Sequence, residues 1–151
     1  MSAIVQPDSL LFYGKKFSDY IREHGPKPYF YSTWAREKVP QYQETISAVY
    51  SQAASENDAG IVNFGAAWEL AKKYRPNIEL YSSDGSHPSD LGAFLTACAF
   101  VREFCGELPE TFPEILPEYY DTTDKDGEWI KLIELDKFDV IFCAKVANEI
   151  N

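Results

Sequence analysis

Leu10, Leu11, Tyr13, Phe17, Tyr20 and Ile21 recur at intervals of three and four behind Pro7, Asp8 and Ser9. That pattern predicts an amphipathic helix opened by an Asp or Ser cap and stopped at Gly25 and Pro26. Pro28 to Thr33 (PYFYST) is a dense aromatic run of strand length and reads as a buried strand. From Pro40 to about Asn57, Tyr42, Ile46, Val49, Tyr50 and Ala53 share one helical stripe, which ends at Asn57, Asp58 and Gly60. Ile61 to Phe64 reads as a second short strand, and Gly65 to Tyr74 as a short helix closed by Pro76.

Asn77 to His87 has the turn residues of an exposed loop. Pro88 is expected in the first turn of the next helix, whose inner face runs through Leu91, Phe94, Leu95, Cys98, Ala99 and Val101 to Cys105, with Gly106 as the stop. Residues 107–127 are acidic and proline-rich, and read as a surface connection before a C-terminal helix. Trp129 to Leu135 fits either a short strand or an extended lead-in. Asp136 is placed to cap a last helix bearing Phe138, Ile141, Phe142, Lys145 and Val146.

Helices alternating with short strands predict a single α/β domain over residues 1–151, with a parallel sheet and flanking helices, because strands joined through helices run the same way. Two or three strands make a thin sheet, so the chain reads as part of a larger architecture.

Composition narrows the function classes. The 151 residues carry 14 Lys plus Arg against 24 Asp plus Glu, a net charge of −10, which disfavours nucleic acid and anionic membrane as partners. No apolar run is long enough to span a bilayer, and the first residues lack the pattern of a signal peptide. The chain as written reads as cytosolic; a signal peptide further upstream would make it exported. Cys98, Cys105 and Cys143 form no CxxC pair, and there are two histidines, His24 and His87. A disulfide framework, a structural metal site and a cofactor are therefore not indicated. Cys98 and Cys105, seven apart, are expected to pack on one helix face. His24 is expected to complement a helix dipole. Glu37 with Lys38, and Glu118 to Glu128, read as solvated charge.

Candidate chemistry concentrates in Asp84-Gly85-Ser86-His87-Pro88-Ser89. An Asp three residues before a His can accept from one ring nitrogen, fix the tautomer and leave the other nitrogen to take a proton. The bland reading of the same residues is a loop cap and a solvated histidine. Tyr81 to Gly106 (YSSDGSHPSDLGAFLTACAFVREFCG) resembles the last block of the SGNH (GDSL-type) hydrolases, in which an Asp-x-x-His supplies two members of a Ser-His-Asp triad. The similarity extends upstream through PYFYSTWAR and Ile61 to Trp68 and covers roughly Pro7 to Gly106, and more weakly the C-terminal helix. It implies a partial three-layer, flavodoxin-like parallel sheet, with His87 as general base and Asp84 orienting it in ester cleavage. It also implies a small-molecule ester as substrate.

The family's nucleophilic Ser, in a Gly-Asp-Ser or Gly-Asn-Ser turn, and its oxyanion-hole Gly and Asn have no counterpart here. Pro7-Asp8-Ser9-Leu10 imitates the first of these, but Pro stands for Gly and no full strand precedes it, so Ser9 reads as a helix cap. The chain thus resembles a C-terminal portion without its nucleophile. Trp34 and Arg36, near the end of their strand, would line a substrate cleft, or else be a core Trp and a surface-paired Arg. Two function classes follow: an SGNH-type ester hydrolase completed by a serine from elsewhere, or a non-catalytic α/β module. The module would associate with itself or with a partner chain through the sheet edge left by missing strands. A metal-dependent hydrolase with Asp84 and His87 as ligands ranks last, for want of further ligands.

Overall fold

The computed structural model describes residues 2–110, 119–123, 125–133 and 135–150. Its elements are α1 (Ser2–Val5), α2 (Pro7–Glu23), β1 (Tyr29–Ser32), a 3-10 turn (Pro40–Tyr42), α3 (Gln43–Glu56), β2 (Gly60–Asn63) and α4 (Phe64–Tyr74). They continue with α5 (Asp90–Cys105), β3 (Tyr119–Thr123), β4 (Trp129–Ile133) and α6 (Lys137–Glu149). β1 and β2 pair in parallel with Tyr29 opposite Gly60 and Ser32 opposite Asn63, as expected of strands joined through α3. Helices flank this small sheet, so the chain is an α/β fold.

The connections follow from local chemistry. Asn63 ends β2 and caps α4 by accepting from the Ala66 N–H at 3.1 Å. Asp136 caps α6 by accepting from the Phe138 N–H at 2.7 Å. The largest core cluster joins α4, α5 and α6 through Trp68, Leu80, Leu95, Cys98, Cys143 and Val146. A second gathers Ala3, Ala35 and Ile46 with Leu10, Val49 and Tyr50, and a third holds Val62, Phe64 and Ala99. Truncating a fully buried leucine such as Leu95 to Ala removes about 2–5 kcal/mol in cores of this kind.

Several expectations are corrected. Ser9 is not the cap of α2: Gln6 holds that position without a side-chain bond, Pro7 begins the helix, and the Ser9 N–H bonds the Gln6 carbonyl at 3.1 Å. The aromatic stripe of α2 does not face inward. Ser18 is its buried residue, and Gly14 lies under the Phe30 ring, where a Cβ would stand 3.0 Å from the ring. Close approach of helix to strand selects small residues on the inner face, so Tyr13, Phe17 and Tyr20 are left exposed. β1 is correspondingly only part-buried, with Tyr29 and Tyr31 exposed and Ser32 fully buried. Pro88 precedes α5 instead of opening it, and pairs with Tyr81 in an isolated antiparallel bridge while Ser89 takes the cap. Cys98 is buried, but Cys105, the last residue of α5, has run past the core and is exposed. On α6, Phe138 is 74% exposed, and the inner face is Val140, Phe142, Cys143, Val146 and Ala147.

The expected surface connection over 107–127 includes a strand: β3 pairs antiparallel with β4, and Trp129 to Leu135 is therefore mostly strand. Tyr119, Tyr120, Thr122 and Thr123 favour a strand without alternating, and the acidic residues and prolines around them dominate the local pattern. Residues 111–118 and 124 of that stretch lie outside the described residues. No helix among the described residues is long and apolar enough to cross a membrane.

Candidate functional site

The loop from Leu80 to Ser89 is closed at its base. Ser82 N–H bonds the His87 carbonyl and Ser89 N–H bonds the Leu80 carbonyl, each at 2.9 Å. Inside this ring Ser82 to Gly85 make a tight turn, with the Gly85 N–H on the Ser82 carbonyl at 2.9 Å. Gly85 takes φ +64°, a left-handed conformation that a side chain would strain. Ser89 ends the loop and starts α5: its Oγ accepts from the Gly92 N–H at 3.1 Å and donates to the Glu79 carbonyl at 2.8 Å.

Within the loop the two carboxylate oxygens of Asp84 divide the work. Oδ1 accepts from the backbone N–H groups of Ser86 (2.8 Å) and His87 (2.9 Å) and from the Ser82 hydroxyl (2.9 Å). Oδ2 lies 2.5 Å from Nδ1 of His87. The His87 ring, then the His87 and Ser86 N–H groups, and last the Ser82 hydroxyl, hold the Asp84 carboxyl well below the usual carboxylate range. An ionised carboxylate can only accept, so the shared proton sits on Nδ1 and the neutral ring presents Nε2 as an acceptor. The His87 side chain is 81% exposed, and among the described residues nothing is hydrogen-bonded to Nε2. The pair is therefore built with its basic nitrogen open to solvent.

Three bonds tie this loop to the segment that follows β1. Trp34 Nε1 donates to the Ser86 carbonyl at 3.0 Å, the Glu37 N–H to the Gly85 carbonyl at 2.9 Å, and the Tyr81 hydroxyl to the Ala35 carbonyl at 2.7 Å. That segment is itself fixed by buried Gln43, which accepts from the Ala35 N–H at 2.6 Å and donates to the Thr33 carbonyl at 3.3 Å. Trp34 stacks on buried Trp68 with ring centroids 4.0 Å apart and planes within 4°, and Trp68 meets Tyr81 edge-on. Burial, with Glu37 nearby, pushes the Tyr81 phenol up to about 12.

The sequence-predicted residues thus fare differently. Asp84 and His87 are brought together. Trp34 reaches the same loop, as a support packed on Trp68 and not as an open cleft wall. Arg36 follows the buried Ala35 on an exposed stretch; its carbonyl accepts from the Val39 N–H at 3.0 Å, and its side chain makes no hydrogen bond or ion pair among the described residues. Ser82, Gln43, Trp68 and Tyr81 also serve the loop, and the hydrophobic pattern of the sequence does not point to them as site residues. Ser82, two residues before Asp84, had a readable signal in the Ser-x-Asp spacing; Gln43 had none. His24 sits at the end of α2 with Nδ1 2.8 Å from the Tyr20 carbonyl, one of the helix's terminal acceptors.

A groove of about 910 Å³ adjoins the loop through Ser82 and Ser89, lined also by Ile78, Glu79, Asp90 and Leu91. No group of three or more His, Cys, Asp or Glu side chains among the described residues is arranged to hold a metal ion.

No protein-family model matches the sequence, and no curated protein matches it. Among solved structures, that of a DUF4886 family protein from Bacteroides uniformis is similar, with a TM-score of 0.71 over 95% of this chain at 17% identity. Identity that low shows the fold alone. The match covers 56% of the other protein, so this chain spans a little over half its length.

Proposed function

We propose that this chain carries the acid–base half of an SGNH-type serine ester hydrolase. His87 is the general base that takes a hydroxyl proton and returns it to the leaving alcohol, and Asp84 fixes its tautomer and stabilises the imidazolium. The observation that carries the reading is the 2.5 Å contact of Asp84 Oδ2 with His87 Nδ1 beneath an open Nε2. The backbone and Ser82 donors on Oδ1 support it, because they hold the carboxylate in one orientation. Small esters are the substrate class, and acyl transfer runs through a serine of another polypeptide or of upstream sequence. Ser9 is not that serine in this reading, because it is committed to the first turn of α2.

General-base action alone contributes a factor of about 10² to 10⁴ where substrate and nucleophile are in place. The 151-residue chain by itself is therefore a weak esterase at best. The test is p-nitrophenyl acetate hydrolysis by the purified chain beside His87→Ala and Ser9→Ala. Activity above the blank that disappears in His87→Ala and survives in Ser9→Ala is the expected result; equal rates for the parent and His87→Ala would overturn the reading.

The second reading, a binding module without catalysis, is favoured by the same donors on Oδ1. Together they staple the turn and would justify Asp84 on folding grounds alone. Equal rates in the assay, with a folded protein, would favour it.

A further inference from the structure

We infer that two copies of this chain pair through the free edge of β1 in a twofold-symmetric dimer, extending the sheet in the order β2, β1, partner β1, partner β2. The inference deepens the second reading above, a module that associates with itself through its open sheet edge, and it is tested apart from the ester assay.

The backbone supplies the first argument. Gly60 N–H donates to the Pro28 carbonyl at 3.0 Å, and the register sets Tyr29 to Ser32 against Gly60 to Asn63. In a parallel ladder the N–H and C=O of one residue point to the same side, and sides alternate along the strand. Pro28, Phe30 and Ser32 therefore turn toward β2, and Tyr29 and Tyr31 turn outward. Among the described residues no other strand meets that edge. A twofold axis through Phe30 sets Tyr29 opposite the second copy's Tyr31, and Tyr31 opposite its Tyr29. Each such pair can exchange two N–H···O=C bonds, so the edge is complementary to itself, which is the requirement of an isologous contact.

The side chains supply the second. Within its four residues β1 reads Tyr-Phe-Tyr-Ser, without charge, proline or bulge; Pro28 precedes it, and the Lys27 ammonium lies 5.2 Å from the Tyr29 ring centroid. Exposed Tyr29 and Tyr31 stand on one face, with Tyr29 against Phe104 at 4.8 Å between centroids. Exposed Tyr13, Phe17 and Tyr20 lie on α2, the helix over which Phe30 packs, whereas Phe12 lines a groove with Glu56 and Asn57 at the end of α3. Surface of this kind, apolar and flanking an open edge, calls for a covering partner.

Charge selects a second copy as that partner. Residues 7–32, from the start of α2 to the end of β1, carry four basic groups (Lys15, Lys16, Arg22, Lys27) and three acidic ones (Asp8, Asp19, Glu23), a net of 4 − 3 = +1. The remaining residues carry 10 basic and 21 acidic groups, a net of −11. Two acidic chains meet with least repulsion through this near-neutral stretch. The outer edge of β2 is less suited, because Arg102, Glu103 and Ile150 line the groove along it.

The test is light scattering on the eluting full chain across a wide range of micromolar concentrations, with amide exchange on the same sample. The expected mass is twice 17.2 kDa, with slow exchange at the outward amides of Tyr29 and Tyr31. Tyr31→Lys and Phe17→Glu are expected to elute as monomers with the parent's far-ultraviolet circular dichroism, and Phe138→Glu, on exposed α6 surface, to remain dimeric. Should Tyr31→Lys fail to fold, Phe17→Glu at its solvent-facing helical position decides. A parent that stays monomeric at every concentration overturns the proposal, as does a dimer that folded Phe17→Glu leaves intact or one that Phe138→Glu dissociates.

Discussion

Trp34 and Ser86 are 52 residues apart in sequence, yet the Trp34 indole N–H donates to the Ser86 carbonyl at 3.0 Å, one residue before His87. The bond joins the exit of β1 to the loop that holds the Asp84–His87 pair. Trp34→Phe keeps an aromatic ring to stack on Trp68 but removes the donor. A loss of about 1 kcal/mol in urea unfolding is expected, the usual net worth of one hydrogen bond, with faster exchange of the Glu37 amide that binds the neighbouring Gly85 carbonyl. Unchanged stability and exchange would show that the loop is held without it.

Gly92, buried on α5, has a packing role that its helical position alone would not suggest. A Cβ there would stand 2.2 Å from the Leu80 carbonyl oxygen and 3.0 Å from the Trp68 ring, and a carbonyl at the base of the loop cannot yield as a side-chain tip does. Gly92→Ala is expected to destabilise the fold by about 1–3 kcal/mol despite the better helix propensity of Ala. Thermal unfolding followed by circular dichroism would reveal a lowered midpoint; a raised one refutes the packing argument.

Acid should act on the loop late. The carboxyl of Asp84 is depressed from its ordinary 3.8 by the His87 ring first and then by backbone donors. A depressed carboxyl contributes stability above its unfolded value, and that contribution is lost as pH falls through the lower folded value. Carboxyl carbon NMR should therefore find the Asp84 midpoint below 3.8, with the Ser86 and His87 amide signals moving together with it. A midpoint at or above 3.8 would contradict the donor set seen around Oδ1 and Oδ2.

At the alkaline end the sign reverses. Burial pushes the thiols of Cys98 and Cys143 from 9.0 up to about 12, and the Tyr81 phenol from 10.0 to about 12. Groups with raised values favour folding below their unfolded values, and that support drains as pH climbs through the folded ones, so stability should decline between pH 9 and 12. At neutral pH the same burial leaves Cys105 as the accessible thiol of the three. DTNB should titrate one thiol in the native chain and all three in guanidinium; fast reaction of two or more native thiols would show that this core opens.

Much of this was legible in the sequence, and what was not has physical causes. Helical spacing located α3, α4, α5 and α6 to within a few residues, and the order of elements required a parallel β1–β2 pair. Asp136 and Asn63 illustrate the limits of cap reading: the first was found from its position before an apolar stripe, whereas the second was hidden inside a strand-like run. Spacing failed at α2, because periodicity shows that a stripe exists and not which side approaches another backbone. Gly14 and Ser18 won the inner face by size. For the candidate site, proximity in sequence made Asp84 and His87 readable, while Gln43, Trp68 and Tyr81 act through contacts many residues distant that no local pattern encodes.

The bonds from Trp34, Glu37 and Tyr81 also bear on how portable the motif is. Asp84 and His87 sit in one short stretch that could be copied into any surface loop, but such a copy would lack the braces that orient the turn. What can be transplanted is the pairing of Leu80–Ser89 with Thr33–Glu37, together with the glutamine and the tryptophan stack that hold the second segment. A miniaturised scaffold for this pair therefore needs two chain segments and their register, not one loop.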